Sequence, residues 1–181
     1  MTEQNEPEIG RGAAPETAKQ NSKTMTAEQL IKAYKNGRRD FKGIVLRNAE
    51  LKDLDFSDAD FSGADFRESD LSGTAFNRAN LENADLEYAT CKDAFFVEAN
   101  LDKADFSFAD LKDADFESAS LQNASLIGAK ANAYFVHADL QCANLVGAKL
   151  EDAYFGDANL IGVKIRVGDT KAFIACRDDG F

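Results

Sequence analysis

From Phe41 onward an apolar residue returns every fifth position: Phe41, Leu46, Leu51, Phe56, Phe61, Phe66, Leu71, Phe76, Leu81, Leu86, Cys91, Phe96 and on through Leu126. From Ala59 a small residue stands two places before each one, as at Ala59, Ala64, Ser69, Thr74, Ala79 and Ala84. Asp or Asn fills the place between in most units, so the unit reads A-[DN]-[LF]-x-x. Five matches neither the helical period near 3.6 nor the strand period of 2. A helix would spread these side chains around its circumference and bury none of them well. The pattern suggests a coil that turns a corner once per unit.

A second period lies over the first. The segments LKDLDF at 51, LSGTAF at 71, CKDAFF at 91, LKDADF at 111 and LEDAYF at 150 align, and one column is always Phe: Phe56, Phe76, Phe96, Phe116, Phe135 and Phe155. A residue type locked to every fourth unit means that four units close one coil, which predicts a solenoid of about six coils whose like side chains stack roughly 4.8 Å apart. Phe116 and Phe135 are 19 rather than 20 positions apart. The register returns at Leu140, Leu145 and Leu150, so the missing residue belongs to a corner near Asn132. Ala131 takes a Leu position there, which predicts a narrowed core or a small void.

Tandem A-[DN]-[LF]-x-x units resemble the pentapeptide-repeat family over about residues 39–167. The resemblance implies a right-handed quadrilateral β-helix with the central Leu or Phe and the preceding Ala inside. The stretch from Leu30 to Gly43 is similar to the entry into pentapeptide modules of cyanobacterial type.

An open solenoid end exposes core and unpaired backbone, so a cap is expected. Thr26-Ala-Glu-Gln29 is a capping box, Ala27, Leu30, Ile31 and Tyr34 follow at helical spacing, and Gly37 suits the position just past a helix end. The division expected is a polar, disordered tail over 1–24, a capping helix over 25–37, the β-helix over 38–167, and a C-terminal cap or tail over 168–181.

The formal net charge is −11, which argues against direct binding to nucleic acid or anionic lipid. Cys91, Cys142 and Cys176 fit no zinc or redox spacing, no run is long and apolar enough to insert in a membrane, and residues 1–24 have no apolar signal core. A cytoplasmic protein with free thiols is expected. His137 is the sole histidine, and the many Asp residues recur because the unit recurs; their expected role is to hydrogen-bond turn backbone. No phosphate loop or nucleophile motif occurs. No enzyme activity, metal or cofactor is expected.

Function is therefore sought on the outward positions. The face centred on the Phe56–Phe155 column carries six acids and one base, a net of −5, whereas the face opposite, centred on Leu46–Ile165, nets −1. On the acidic face Phe95, Tyr134 and Tyr154 replace the usual Asp or Asn, and Val97 and Val136 follow nearby. A second group, Tyr88, Phe108, Ile127 and Val146, lies on the opposite face. Apolar groups rimmed by charge mark interaction sites. The reading is a non-catalytic protein-interaction module or scaffold, binding an unidentified protein or forming a homodimer through its more apolar C-terminal half. The competing reading is an acidic DNA mimic that regulates a DNA-binding enzyme such as gyrase, since this chain is similar in length and charge to pentapeptide proteins of the quinolone-resistance type.

Overall fold

The computed structural model describes residues 23–166. Along the chain the residue before each central position forms a parallel bridge to its counterpart one coil on, as in Asp40–Asp60, Val45–Asp65, Glu50–Asp70 and Asp55–Ala75. Four such ladders run the length of the molecule, one per face. The ladder Asp40, Asp60, Asn80, Asn100, Ser120, Asp139, Asn159 marks about six coils. The architecture is the right-handed quadrilateral β-helix expected. Each rung is a pair of backbone hydrogen bonds: Phe61 N–H donates to the Asn80 carbonyl at 2.7 Å, and Asn80 N–H donates to the Ala59 carbonyl at 2.9 Å.

The corners explain the unit. Ala64 N–H donates back to the Phe61 carbonyl at 2.9 Å, closing a four-residue turn whose third residue has positive φ. That is the type II pattern, which favours Gly or Asn at this position. Here the position is also held by Asp58 (φ 61°), Tyr88 (φ 58°) and Phe108 (φ 59°). The strain is offset by the residue before the central one: Asp60 Oδ1 accepts the Ser62 amide at 3.0 Å, Asp55 Oδ1 that of Ser57 at 2.9 Å, and Asn80 Oδ1 that of Glu82 at 3.1 Å. The small residue has a related cause, because its side chain points into the corner, where a methyl fills the space in most coils and buried Ile44 fills it at the first. Where Ser69 and Thr74 replace Ala they are buried, and their hydroxyls donate to the Leu46 and Leu51 carbonyls one coil back at 2.6 Å.

The interior is filled. Phe76, Phe96, Phe116, Phe135 and Phe155 stack in one column with centroids 4.9–5.5 Å apart and planes within 9°. Phe56 joins it at 5.9 Å with a 32° tilt, because Phe61 and Phe66 crowd the first coils edge-on. The shortened corner lies at 131–133, where a four-residue turn loses its third residue and the bridges Asp115–Tyr134 and Lys130–Lys149 step by 19. Ala131 is fully buried there. A corner with less backbone encloses less volume, and Ala in place of Leu matches it, so the Phe stack passes through at 5.0 Å.

The first coil is covered by α1 (Ala27–Lys35), with both hydrogen bonds of the Thr26–Gln29 capping box formed, Asn36 as C-cap and Gly37 (φ +90°) just past it. Leu30 is buried in the core, and Tyr34 meets Phe56 edge-on at 5.3 Å while its hydroxyl donates to the Ser57 carbonyl. One boundary is corrected. The sequence pattern extends the polar tail to residue 24, but Lys23–Thr24 form β1, parallel to β2 (Ile44–Val45). A two-residue strand carries no periodicity; the unpaired backbone of the first coil recruits it. The rest of the expected tail, the C-terminal cap or tail and Cys176 lie outside the described residues.

Candidate functional site

Two concavities among the described residues lie toward the ends of the rod. One is lined by Thr24–Ala27 and Val45–Glu50, the other by Ala158–Ile161. Among the described residues no three His, Cys, Asp or Glu side chains are grouped to hold a metal. His137 is exposed, with Nδ1 3.9 Å from Asp157. Cys91 is fully buried in the core, where desolvation pushes its thiol far up and holds it protonated, whereas Cys142 is exposed. The outward side chains carry the chemistry.

On the acidic face the ladder before the Phe column runs Asp55, Ala75, Phe95, Asp115, Tyr134, Tyr154. Phe95, Tyr134 and Tyr154 are 45%, 49% and 42% exposed. Val97 and Val136 are half-buried beside them. The structure does not join these residues into one surface. Asp115 bridges Phe95 on one side and Tyr134 on the other, and Glu117 lies between Val97 and Val136. The group is two apolar segments divided by a carboxylate row. Each aromatic has given up its own turn acceptor. At Phe95 a neighbour supplies the substitute, since Asn77 Oδ1 accepts the Val97 amide at 3.2 Å from the coil below. Tyr154 lies over its own Gly156, where a Cβ would come within 2.9 Å of the ring.

The second group is contiguous. Tyr88 and Phe108 stack at 5.1 Å with planes 11° apart, 55% and 50% exposed. The Phe108 ring continues over Gly128, where a Cβ would sit 2.7 Å from it, and Gly128 also needs its positive φ of +66°. Half-buried Ile127 and Val146 extend the strip. One exposed residue was not singled out from the sequence: Ile161, 68% exposed, follows Leu160 at a position held in other coils by Lys42, Ser62, Glu82, Asp102 and Gln122. That break in polarity was its readable signal.

The tandem unit is also recovered by comparison. The pentapeptide repeat model matches in eight copies, over residues 40–78, 64–102, 79–117, 99–132 and 131–166. The chain belongs to the pentapeptide-repeat family. Among solved pentapeptide-repeat proteins, HetL of the cyanobacterium Nostoc sp. strain PCC 7120, involved in heterocyst differentiation regulation, is 27% identical; 77% of this chain and 72% of that one are covered, with a TM-score of 0.37. A pentapeptide repeat protein of the Arabidopsis thaliana thylakoid lumen is 27% identical over 72% of this chain and 80% of that one, with a TM-score of 0.43. The fluoroquinolone resistance protein QnrB1 is 18% identical over 75% and 81%, with a TM-score of 0.33. Among the curated proteins nothing matches the chain.

Within this pentapeptide-repeat rod the charges are distributed unevenly. Bases pair with carboxylates of adjoining coils: Lys42 with Asp60 at 3.1 Å, Arg47 with Asp65 at 2.6 Å, Lys52 with Asp70 at 2.8 Å, Lys130 with Asp110 at 2.8 Å. On the acidic face Arg78 meets Asp58 through two hydrogen bonds, and its guanidinium holds that carboxyl below its usual value. Beyond Phe95 this face has Glu98, Asp115, Glu117 and Asp157, with His137 as its only titratable base. Among the described residues no helix is long and apolar enough to cross a membrane.

Proposed function

We propose that this pentapeptide-repeat protein is a non-catalytic protein-binding module, a cytoplasmic scaffold that presents patterned faces on a rigid rod. The observation that carries the reading is the placing of five aromatics, Tyr88, Phe95, Phe108, Tyr134 and Tyr154, at 42–55% exposure on a scaffold whose interior is already filled. Three of them stand where Asp or Asn would support the turn, so they cost local stability and contribute nothing to the core. Aromatics dominate the energetics of protein interfaces. A near-neutral face carrying the Tyr88–Phe108 stack suits a second copy of the chain, because a two-fold contact there sets little like charge together. A homodimer through the C-terminal half belongs to this reading.

Capture from cells of the source organism tests it, with the wild-type chain and a variant whose five exposed aromatics are replaced by Asn or Ser. Specific capture by wild type, lost in a variant that melts normally, supports the module; equal capture by both removes it. The net charge of −11 favours the DNA-mimic alternative, while the cross-coil pairing of lysines with carboxylates breaks up the uniform negative surface that mimicry needs. A gyrase supercoiling assay separates the two: the binding-module reading expects no effect on supercoiling.

A further inference from the structure

We propose that the row Phe95–Asp115–Tyr134 is a seat for a cationic side chain, Arg or Lys, carried by a basic, apolar segment of the protein partner; this rests on the protein-binding reading above. Asp115 is bridged directly to both Phe95 and Tyr134, so its backbone lies one ladder step, about 4.8 Å, from that of each aromatic residue. The three side chains leave the same face in consecutive coils, so a cation drawn to the carboxylate has aromatic surface on either side of it. One Asp115 oxygen accepts the Glu117 amide at 2.9 Å; the other has no partner among the described residues. Asp60, Asp65, Asp70, Asp85 and Asp110 pair with bases of the chain itself, whereas Asp115, like Asp55 and Asp105, meets none among the described residues. It differs from those two in standing between two exposed aromatics, so a base brought by the partner meets carboxylate and rings together.

The surroundings decide the occupant. Glu98, Glu117 and Asp157 rim the row, so a basic segment gains from the whole face and an acidic one is repelled. A second copy placed on this face by two-fold symmetry would set these carboxylates against each other. Tyr154, Val97 and Val136 supply apolar area on either side of the carboxylate row, which fits a segment alternating basic and apolar residues.

The test is isothermal titration of the whole chain with three synthetic peptides of equal length: alternating Arg and Leu, alternating Glu and Leu, and alternating Arg and Ser. The Arg–Leu peptide is expected to bind most tightly and the Glu–Leu peptide not at all. Asp115→Asn keeps a turn acceptor, as Asn80 does for Glu82, and removes only charge; it should weaken Arg–Leu binding about fivefold and flatten its salt dependence. Phe95→Asn with Tyr134→Asn leaves net charge unchanged and restores turn acceptors, and should weaken it more than about tenfold. Tyr88→Ser with Phe108→Ser should bind as wild type. Failure of the Arg–Leu peptide to bind, equal binding of the Glu–Leu peptide, or wild-type affinity in the Asp115 and aromatic variants overturns the site. Loss of the natural partner only in the Tyr88/Phe108 variant would keep the protein-binding function and remove this seat.

Discussion

Replacing Phe76 with Asp places a carboxylate in the centre of the aromatic stack. Phe76 is fully buried, with ring centroids of Phe56, Phe61, Phe66 and Phe96 at 5.9, 5.7, 5.9 and 5.5 Å. Removing a Phe from such a site costs about 3–5 kcal/mol. The carboxyl then finds no partner among phenyl rings, and even protonated it adds roughly 1–3 kcal/mol. The sum, near 4–8 kcal/mol, is a large part of the 5–15 kcal/mol that holds a typical domain together. At roughly 2–4 °C per kcal/mol for a chain of this size, the melting midpoint should fall by about 10 °C or more. Asn77→Asp is the control. It introduces the same carboxylate one residue away, on the outside, and retains an oxygen to accept the Val97 amide. Its effect should stay within about 0.5 kcal/mol. Thermal melts of both variants by far-UV circular dichroism at neutral pH decide the matter. Equal midpoints would refute the inward assignment of the Phe column and the coil register with it.

The other expectations are briefer. Replacing Phe95, Tyr134 and Tyr154 together by Asp should leave the melting midpoint unchanged or slightly raised, since each Asp regains the turn acceptor seen at Asp55; a fall of many degrees would show that these rings support the fold. In the native state a maleimide should label Cys142 and spare Cys91, mapped by mass spectrometry; labelling of Cys91 at the Cys142 rate would contradict its burial. Hydrogen bonds from the Ser57 hydroxyl and amide hold Asp55 below its usual value, and Arg78 does the same for Asp58. Stabilisation from such groups is present above the unfolded carboxylate value near 4 and lost as pH falls through the lower folded values, so melts should weaken below about pH 4. Asp85, pushed up chiefly by burial, works in the opposite sense, and Asp85→Asn should lose least at neutral pH. Sedimentation at high concentration should show a dimer that Tyr88→Ser with Phe108→Ser reduces to a monomer; a wild-type monomer removes self-association.

The fold was legible because one geometric demand is repeated in every unit. A corner favours a small residue inside, its turn is supported by a side-chain acceptor before the central position, and four corners close the coil. Each demand leaves a residue type at a fixed offset, so the Phe column, the Asp and Asn ladders and even the shortened corner at 131–133 could be read directly. The capping box was legible for the same reason, since Thr26 and Gln29 satisfy each other locally. What escaped depends on contact between neighbouring coils. Phe95 and Tyr134 share a face and a column, yet contiguity needs consecutive coils, and Asp115 occupies the coil between them. Tyr88 and Phe108 are consecutive, and they stack. The pairing of Lys23–Thr24 with Ile44–Val45 has no sequence signal, because an edge of backbone recruits whatever segment reaches it.

Hydroxyl-radical footprinting of the purified complex between this chain and its captured partner tests the central claim most directly. The account predicts protection of exposed aromatics, at Phe95, Tyr134 and Tyr154 for a basic partner and at Tyr88 and Phe108 for a second copy, with Tyr34 unchanged. Protection confined to the lysine-bearing face around Lys52, Lys92 and Lys112, with all five exposed aromatics oxidised as in the free chain, would contradict it.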